Sequence, residues 1–228
     1  MPSYTDIQLA EMEKELNKVY SQAQTELEDK WDKYMTKAQV KVDKLKNAYE
    51  HELLFGTDAA KMTEAKQAYE KAMVNVTLKD EHYQAMVDQV TDKLADTNQI
   101  ALNYLNDKMP GIYCHSYNEF GDEDIKGYSF ELVNEEAVKN LIKDGNKSLL
   151  PQKVLNIPKD KQWNTKSINS QVLQGILQGE SIPKMAKRLQ NVTDMNYKSA
   201  VRNARTMTTG AENKGRQDGF TKATNDGV

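Results

Sequence analysis

Cys114 is the only cysteine in the chain, and it stands next to His115. A thiol beside an imidazole is the pairing used for nucleophilic catalysis. The residues around it, 112–133, alternate in polarity and carry Ile112, Tyr113, Tyr117, Phe120, Tyr128 and Phe130, with Gly121 and Gly127. That pattern predicts a small strand element or an irregular packed loop. Neighbours on an extended segment point to opposite sides, so the pair is not set up for proton transfer. No Asn or Asp partner stands in a recognisable signature. His51 and His82 fall on two predicted helices at levels where they could approach, but a metal site wants more ligands than two imidazoles. Asp122, Glu123 and Asp124 have the composition of a calcium loop without its ligand spacing, which predicts an exposed acidic loop. There is no phosphate-cradling glycine loop, no metalloprotease helix and no serine elbow. The sequence therefore predicts no catalytic residues, no metal site and no cofactor.

The residues suited to binding are basic. Between Lys184 and Lys222 there are nine basic residues and three acidic ones, a balance of +6; the total of -3 then leaves -9 elsewhere. Arg202 and Arg205 are three apart on one predicted helix face, with Arg188 ahead of them. An arginine fork suits phosphate, or a carboxylate on another subunit. For Arg205 a buried ion pair within its own domain is the competing expectation. Lys184, Lys187, Lys198, Lys214 and Arg216 are expected on a solvated face that also attracts nucleic acid non-specifically.

Long helices must carry these residues. Only 38% of the 228 residues are hydrophobic and 29% are charged, and Gly (11) and Pro (5) are scarce. That ratio suits helices that bury one stripe each. Over residues 4–55 the stripe is Met12, Leu16, Val19, Ala23, Leu27, Trp31, Tyr34, Ala38, Val42, Leu45, Tyr49 and Leu53. Its steps average about 3.7, closer to an eleven-residue repeat than to a heptad. Gly56 suits a helix end, and Thr57 or Asp58 suits a new start. A second helix is predicted over 58–107, through Met62, Ala65, Tyr69, Met73, Val76, Tyr83, Val87, Val90, Leu94, Thr97, Ala101 and Tyr104. Met109-Pro110-Gly111 is expected to end it. A short helix over 135–144 with Asn134 as cap, a connector over 149–158, and three helices over 160–178, 182–190 and 194–224 complete the expectation. Asp194 is the expected cap of the last. The fold class is thus mainly α: a long N-terminal antiparallel helical hairpin arm (1–108), a mixed connector (109–159) with short strands and a short helix, and a small helical segment (160–228). No apolar run approaches the ~20 residues needed to span a bilayer, and the polar opening lacks a signal pattern, as expected of a protein made in the cytoplasm.

The stretch from Trp163 to Phe220 resembles the phage head-morphogenesis domain of Mu F-like minor head proteins. The likeness lies in Gly179-Glu180-Ser181, then Ile182, Met185, Ala186 and Leu189, then Ala204-Arg205-Thr206 preceded by Arg202, then Asn213 and Gly215, then Phe220. It covers about a quarter of the chain. Met207 stands where the family usually has an acidic residue. The family domain also usually continues beyond its aromatic, so the resemblance implies that this segment is incomplete at its C-terminal end.

The resemblance implies a structural protein of a tailed-phage head, located in the virion at the portal vertex. Its partners would be the portal protein and other capsid proteins, with viral DNA touched non-specifically and no membrane. Assembly and DNA packaging or ejection would be its work. The basic 184–222 region supports a different expectation, a general DNA-binding protein with a helical oligomerisation arm. The polar helical composition would also suit an internal scaffolding protein.

Overall fold

The computed structural model describes residues 2–74, 81–123, 132–143, 149–150, 152–178, 180 and 182–226. The fold is mainly α, with no strand among the described residues. Among the described residues the helices are α1 (Tyr4–Phe55), α2 (Ala59–Val74), α3 (Glu81–Glu123), α4 (Glu135–Lys143), α5 (Ile157–Leu177) and α6 (Ile182–Asn225).

Local chemistry fixes most of the ends. Ser3 and Asp6 form a reciprocal capping box at α1: each backbone N–H donates to the other's side chain at 3.1 Å. The N–H of Gly56 closes α1 on the carbonyl of Glu52 at 2.9 Å, and a Cβ there would lie 2.3 Å from that oxygen. Asp58 caps α2 by accepting from the N–H of Ala60 at 2.9 Å. Asn134 does the same for α4, accepting from Glu136 at 2.7 Å. Asn156 caps α5 through the N–H of Lys159 at 3.1 Å, so α5 starts before Asp160 and takes Pro158 into its first turn, where a missing N–H costs nothing. The N–H of Glu180 bonds the carbonyl of Gly175 at 2.9 Å, the six-residue closure that ends many helices.

Two expected breaks are corrected. Residues 109–111 do not end a helix: α3 runs through Pro110 to Glu123. A proline inside a helix costs about 3 kcal/mol, but Leu105, Met109, Pro110, Ile112, Tyr113, Ser116 and Tyr117 are all buried. Leu105, Met109, Ile112 and Ser116 step by four, three and four, with Pro110, Tyr113 and Tyr117 beside them, which is a helical face whose burial outweighs the local penalty. The strands expected over 112–133 are therefore absent up to Glu123, and Asp122 and Glu123 close a helix instead of opening a loop. Asp124, Gly127, Tyr128 and Phe130 lie outside the described residues, as does Val76. Likewise α6 is continuous through Asp194, which is exposed in mid-helix and caps nothing. Val192, Asn196, Ala200 and Ala204 are buried on either side of it, so one face stays covered across the expected gap.

The chain forms two compact units, both discontinuous in sequence. One comprises Tyr20–Thr97 and Asn156–Asn196. In it α1 runs antiparallel to α2 and to the start of α3. Tyr49 stacks on Tyr69 with ring centres 6.3 Å apart, Tyr34 meets Tyr83 at 6.1 Å, and Lys93 pairs with Glu26 at 2.6 Å. Leu27 and Trp31 of α1, Val87, Val90 and Leu94 of α3, Ile168 and Val172 of α5, and Met185 and Val192 of α6 share one core. The hydroxyl of Tyr83 donates to Asn169 at 2.8 Å. A Cβ on Gly175 would meet Met185 Cγ at 2.6 Å, so α5 and α6 approach closely there.

The other unit comprises Met1–Val19, Asn98–Leu155 and Tyr197–Val228. Its α6 portion buries small residues at Ala200, Ala204, Ala211, Gly215, Gly219 and Ala223. Steps of four between small side chains let another helix come close. At Gly215 a Cβ would stand 2.5 Å from the carbonyl oxygen of Tyr113 and 3.0 Å from the N of Tyr117. Asn106 ties the connector to α3 twice, accepting from Lys153 N at 3.2 Å and donating to Lys153 O at 2.8 Å.

Candidate functional site

The residues singled out from the sequence fall mostly on α6, whose two faces do different work. Ala204 is fully buried and Gly215 is buried against α3. These two members of the Trp163–Phe220 pattern are packing residues. Arg202, Arg205, Thr206 and Asn213 lie on the exposed side, and Phe220 keeps 61% of its surface exposed. The hydroxyl of Thr206 donates back to the carbonyl of Arg202 at 3.0 Å. Gly179 and Ser181 lie outside the described residues. Met207 is buried and lines a groove of about 430 Å³ with Met109, Pro110, Ile142 and Leu150, so an apolar side chain suits that position.

Four of these basic residues already have acidic partners. Arg188 holds Glu180 with two bonds, Nε to Oε2 at 2.5 Å and Nη2 to Oε1 at 2.9 Å. It also reaches Gln178 at 2.6 Å and Gln174 at 3.3 Å. The guanidinium holds the Glu180 carboxyl below its ordinary value. Arg188 thus locks the turn between α5 and α6, and its fork is occupied. Arg205 donates to Glu13 through Nε at 3.0 Å and Nη2 at 2.8 Å. This pair is within one unit but solvent-exposed, with the arginine side chain 63% open; such a pair contributes at most about 1 kcal/mol. Lys214 bonds Asp218 at 2.7 Å, and Asp218 also accepts from the hydroxyl of Tyr113 at 3.0 Å. Arg216 lies 3.4 Å from Glu212 and 4.0 Å from Glu119. Lys184, Lys187, Lys198 and Arg202 remain exposed, with no ion pair among the described residues.

Cys114 and His115 both sit on α3, not on an extended segment, and one residue of helix turns them about 100° apart. Cys114 is buried, and burial pushes its thiol up to about 11, with the Glu135 carboxylate adding to the effect. At neutral pH it is a packed thiol. His115 stacks flat on Tyr4 at 4.0 Å, with Nδ1 3.6 Å from Glu119. His51 and His82 do not meet. Tyr83 faces Tyr34, which is 17 residues, or roughly 25 Å of helix, from His51. His51 instead touches Phe55 at 5.3 Å. No group of three or more His, Cys, Asp or Glu residues could hold a metal among the described residues. No described helix is long and apolar enough to cross a membrane.

One buried polar contact has no counterpart in the sequence reading. Asn196 Nδ2 donates to Asn164 Oδ1 and to the carbonyl of Val192, both at 2.8 Å. Asn164 is fully buried and donates in turn to Asp160 at 3.2 Å. Asparagines on the flanks of helices read as surface residues, and only their fall on the stripe of Ile168 and Val172, four and eight residues on, would have marked Asn164 as internal.

Comparison with models of known protein families, with curated proteins and with solved structures finds no match.

Proposed function

We propose that this chain is a structural minor head protein of a tailed bacteriophage, bound at the portal vertex of the virion and acting in head assembly and DNA packaging or ejection. The observation that carries the reading is the ordered pattern from Trp163 to Phe220. Its support is the division of labour on α6: Ala204 and Gly215 are packed inward, while Arg202, Arg205 and Phe220 are presented outward. The outward aromatic and the two arginines are the groups that a partner surface would meet.

The test is a pull-down of the purified chain against the portal protein encoded in the same genome, followed by size-exclusion chromatography. A complex that survives about 0.5 M salt, where exposed charges are strongly screened, is the expected result. No complex at any salt refutes the reading. The exposed Lys184, Lys187, Lys198 and Arg202 favour a second one, non-specific DNA binding. Four phosphate contacts would give a log–log salt slope of about -3.6. Tight low-salt DNA binding with that slope, in the absence of a portal complex, would put it in front.

A further inference from the structure

Helix α5 is apolar on two opposite sides. Its inner side carries Ile168 and Val172 into the core. Its outer side presents Trp163, Leu173 and Leu177, which keep 44%, 43% and 77% of their surface exposed. Lys159, Lys166 and Ser170 are exposed along the same line. The six positions 159, 163, 166, 170, 173 and 177 step by four and three in strict alternation. At 100° per residue they form a stripe about 80° wide. Their mean step is 3.6, the period of the helix itself, so the stripe runs straight along α5 and offers one narrow line to a second helix.

Charge narrows the occupant. The only acid on α5 is Asp160, which accepts from Asn164. The next acid, Glu180, is held by Arg188. Lys159 and Lys166 have no ion pair among the described residues, and the exposed Lys184 and Lys187 follow on the first turns of α6. We propose that the outer face of α5 docks an amphipathic helix of another protein, whose apolar residues meet Trp163, Leu173 and Leu177 and whose flanking residues are acidic. Two other occupants fit less well. A platform for single-stranded nucleic acid wants several aromatic side chains, and this face has one. A membrane-surface helix wants a broad apolar face, and this one is narrow. The inference does not depend on the head-protein reading.

The chain reports on this face itself. It has two tryptophans. Trp31 is 1% exposed, so acrylamide quenching of the native chain reads Trp163. The probe is a synthetic helix of about three heptads with Leu at both seam positions and Glu at the flanking ones; the control carries Lys at the flanks. The full chain should show a blue shift and loss of quenching with the Glu probe, and at least about tenfold weaker binding of the Lys probe. Leu173→Lys with Leu177→Lys should weaken the Glu probe by about tenfold or more while the helical circular dichroism is unchanged. Lys159→Glu with Lys166→Glu should reverse the preference between probes, which a folding defect would not do. Equal binding of both probes, or no protection of Trp163 by the Glu probe, overturns the proposal. So does protection that grows with the chain's own concentration, which would assign the face to a second copy. Protection by a thymidine oligonucleotide or by vesicles of anionic lipid, without protection by the Glu probe, overturns it equally.

Discussion

A methyl group at position 215 would lie 2.5 Å from the carbonyl oxygen of Tyr113, and backbone atoms cannot move aside as a flexible side chain can. At position 210, on the same helix, a methyl group meets nothing within 4 Å. The two glycines therefore separate helix propensity from packing. Gly210→Ala should stabilise by about 0.5–1 kcal/mol, because alanine loses less conformational freedom in a helix. Gly215→Ala gains the same propensity but forces α3 and α6 apart, and should cost about 1–3 kcal/mol net. Urea denaturation of both variants checks this; changes of the same sign would mean that the helices do not approach closely at Gly215. The Arg188–Glu180 pair makes a prediction in pH. The Glu180 carboxyl titrates below its ordinary value of 4.5 in the folded chain. Its stabilisation is then present above pH 4.5 and is lost as the pH falls through the folded value. Arg188→Gln should be less stable than the parent at pH 7, and the gap should close in the window below pH 4.5. A gap unchanged at pH 3 would mean that Arg188 acts through Gln174 and Gln178 alone.

The elements were legible where a stripe had a period. Met12, Leu16, Ala23, Leu27, Trp31 and Val42 were expected on one face of α1 and are buried. The same holds for Tyr83, Val87, Val90 and Leu94 on α3. Elements were misread where a local signal competed with burial that only the fold supplies. Met109-Pro110-Gly111 has the chemistry of a stop, yet α3 passes through because Met109, Pro110 and Ile112 are all covered. The Asn164–Asn196 pair was illegible for the opposite reason: its residue types belong on surfaces. The bonded pair joins α5 to α6 at one level, and sliding the helices would separate donor from acceptor. Asn196→Leu alone strands the Asn164 oxygen and should cost about 1–3 kcal/mol. Asn164→Leu with Asn196→Leu removes both polar groups and should recover most of that loss. The double variant should then melt over a broader range, as one fixed register gives way to several. A double variant as unstable as the single one would show that volume, not pairing, sets the cost.

Each of the three segments expected along the chain, 1–108, 109–159 and 160–228, supplies residues to both compact units. Sequence order hides this, because α1, α3 and α6 each contribute to one unit and then to the other. The helices of residues 20–97 share their core with residues at the far end of the chain. In one unit Leu27, Trp31, Val87, Val90 and Leu94 close against Ile168, Val172, Met185 and Val192. Burying those last four side chains contributes about 6–12 kcal/mol at 1.5–3 kcal/mol each. That is comparable to the whole stability of a typical domain, about 5–15 kcal/mol. A fragment of residues 1–108 would lose all of it and would expose Trp31 and its neighbours to water. It should therefore show a shallow, non-cooperative thermal transition by circular dichroism, where the full chain melts cooperatively. Its Trp31 should be quenched freely by acrylamide, and it should associate or aggregate during size-exclusion chromatography. Adding a second fragment of residues 149–228 should restore part of the Trp31 protection, because the missing half of the core is on it. A monomeric 1–108 fragment with a sharp melt and a protected Trp31 would mean that the N-terminal helices form an independent arm, and that the C-terminal helices only decorate it.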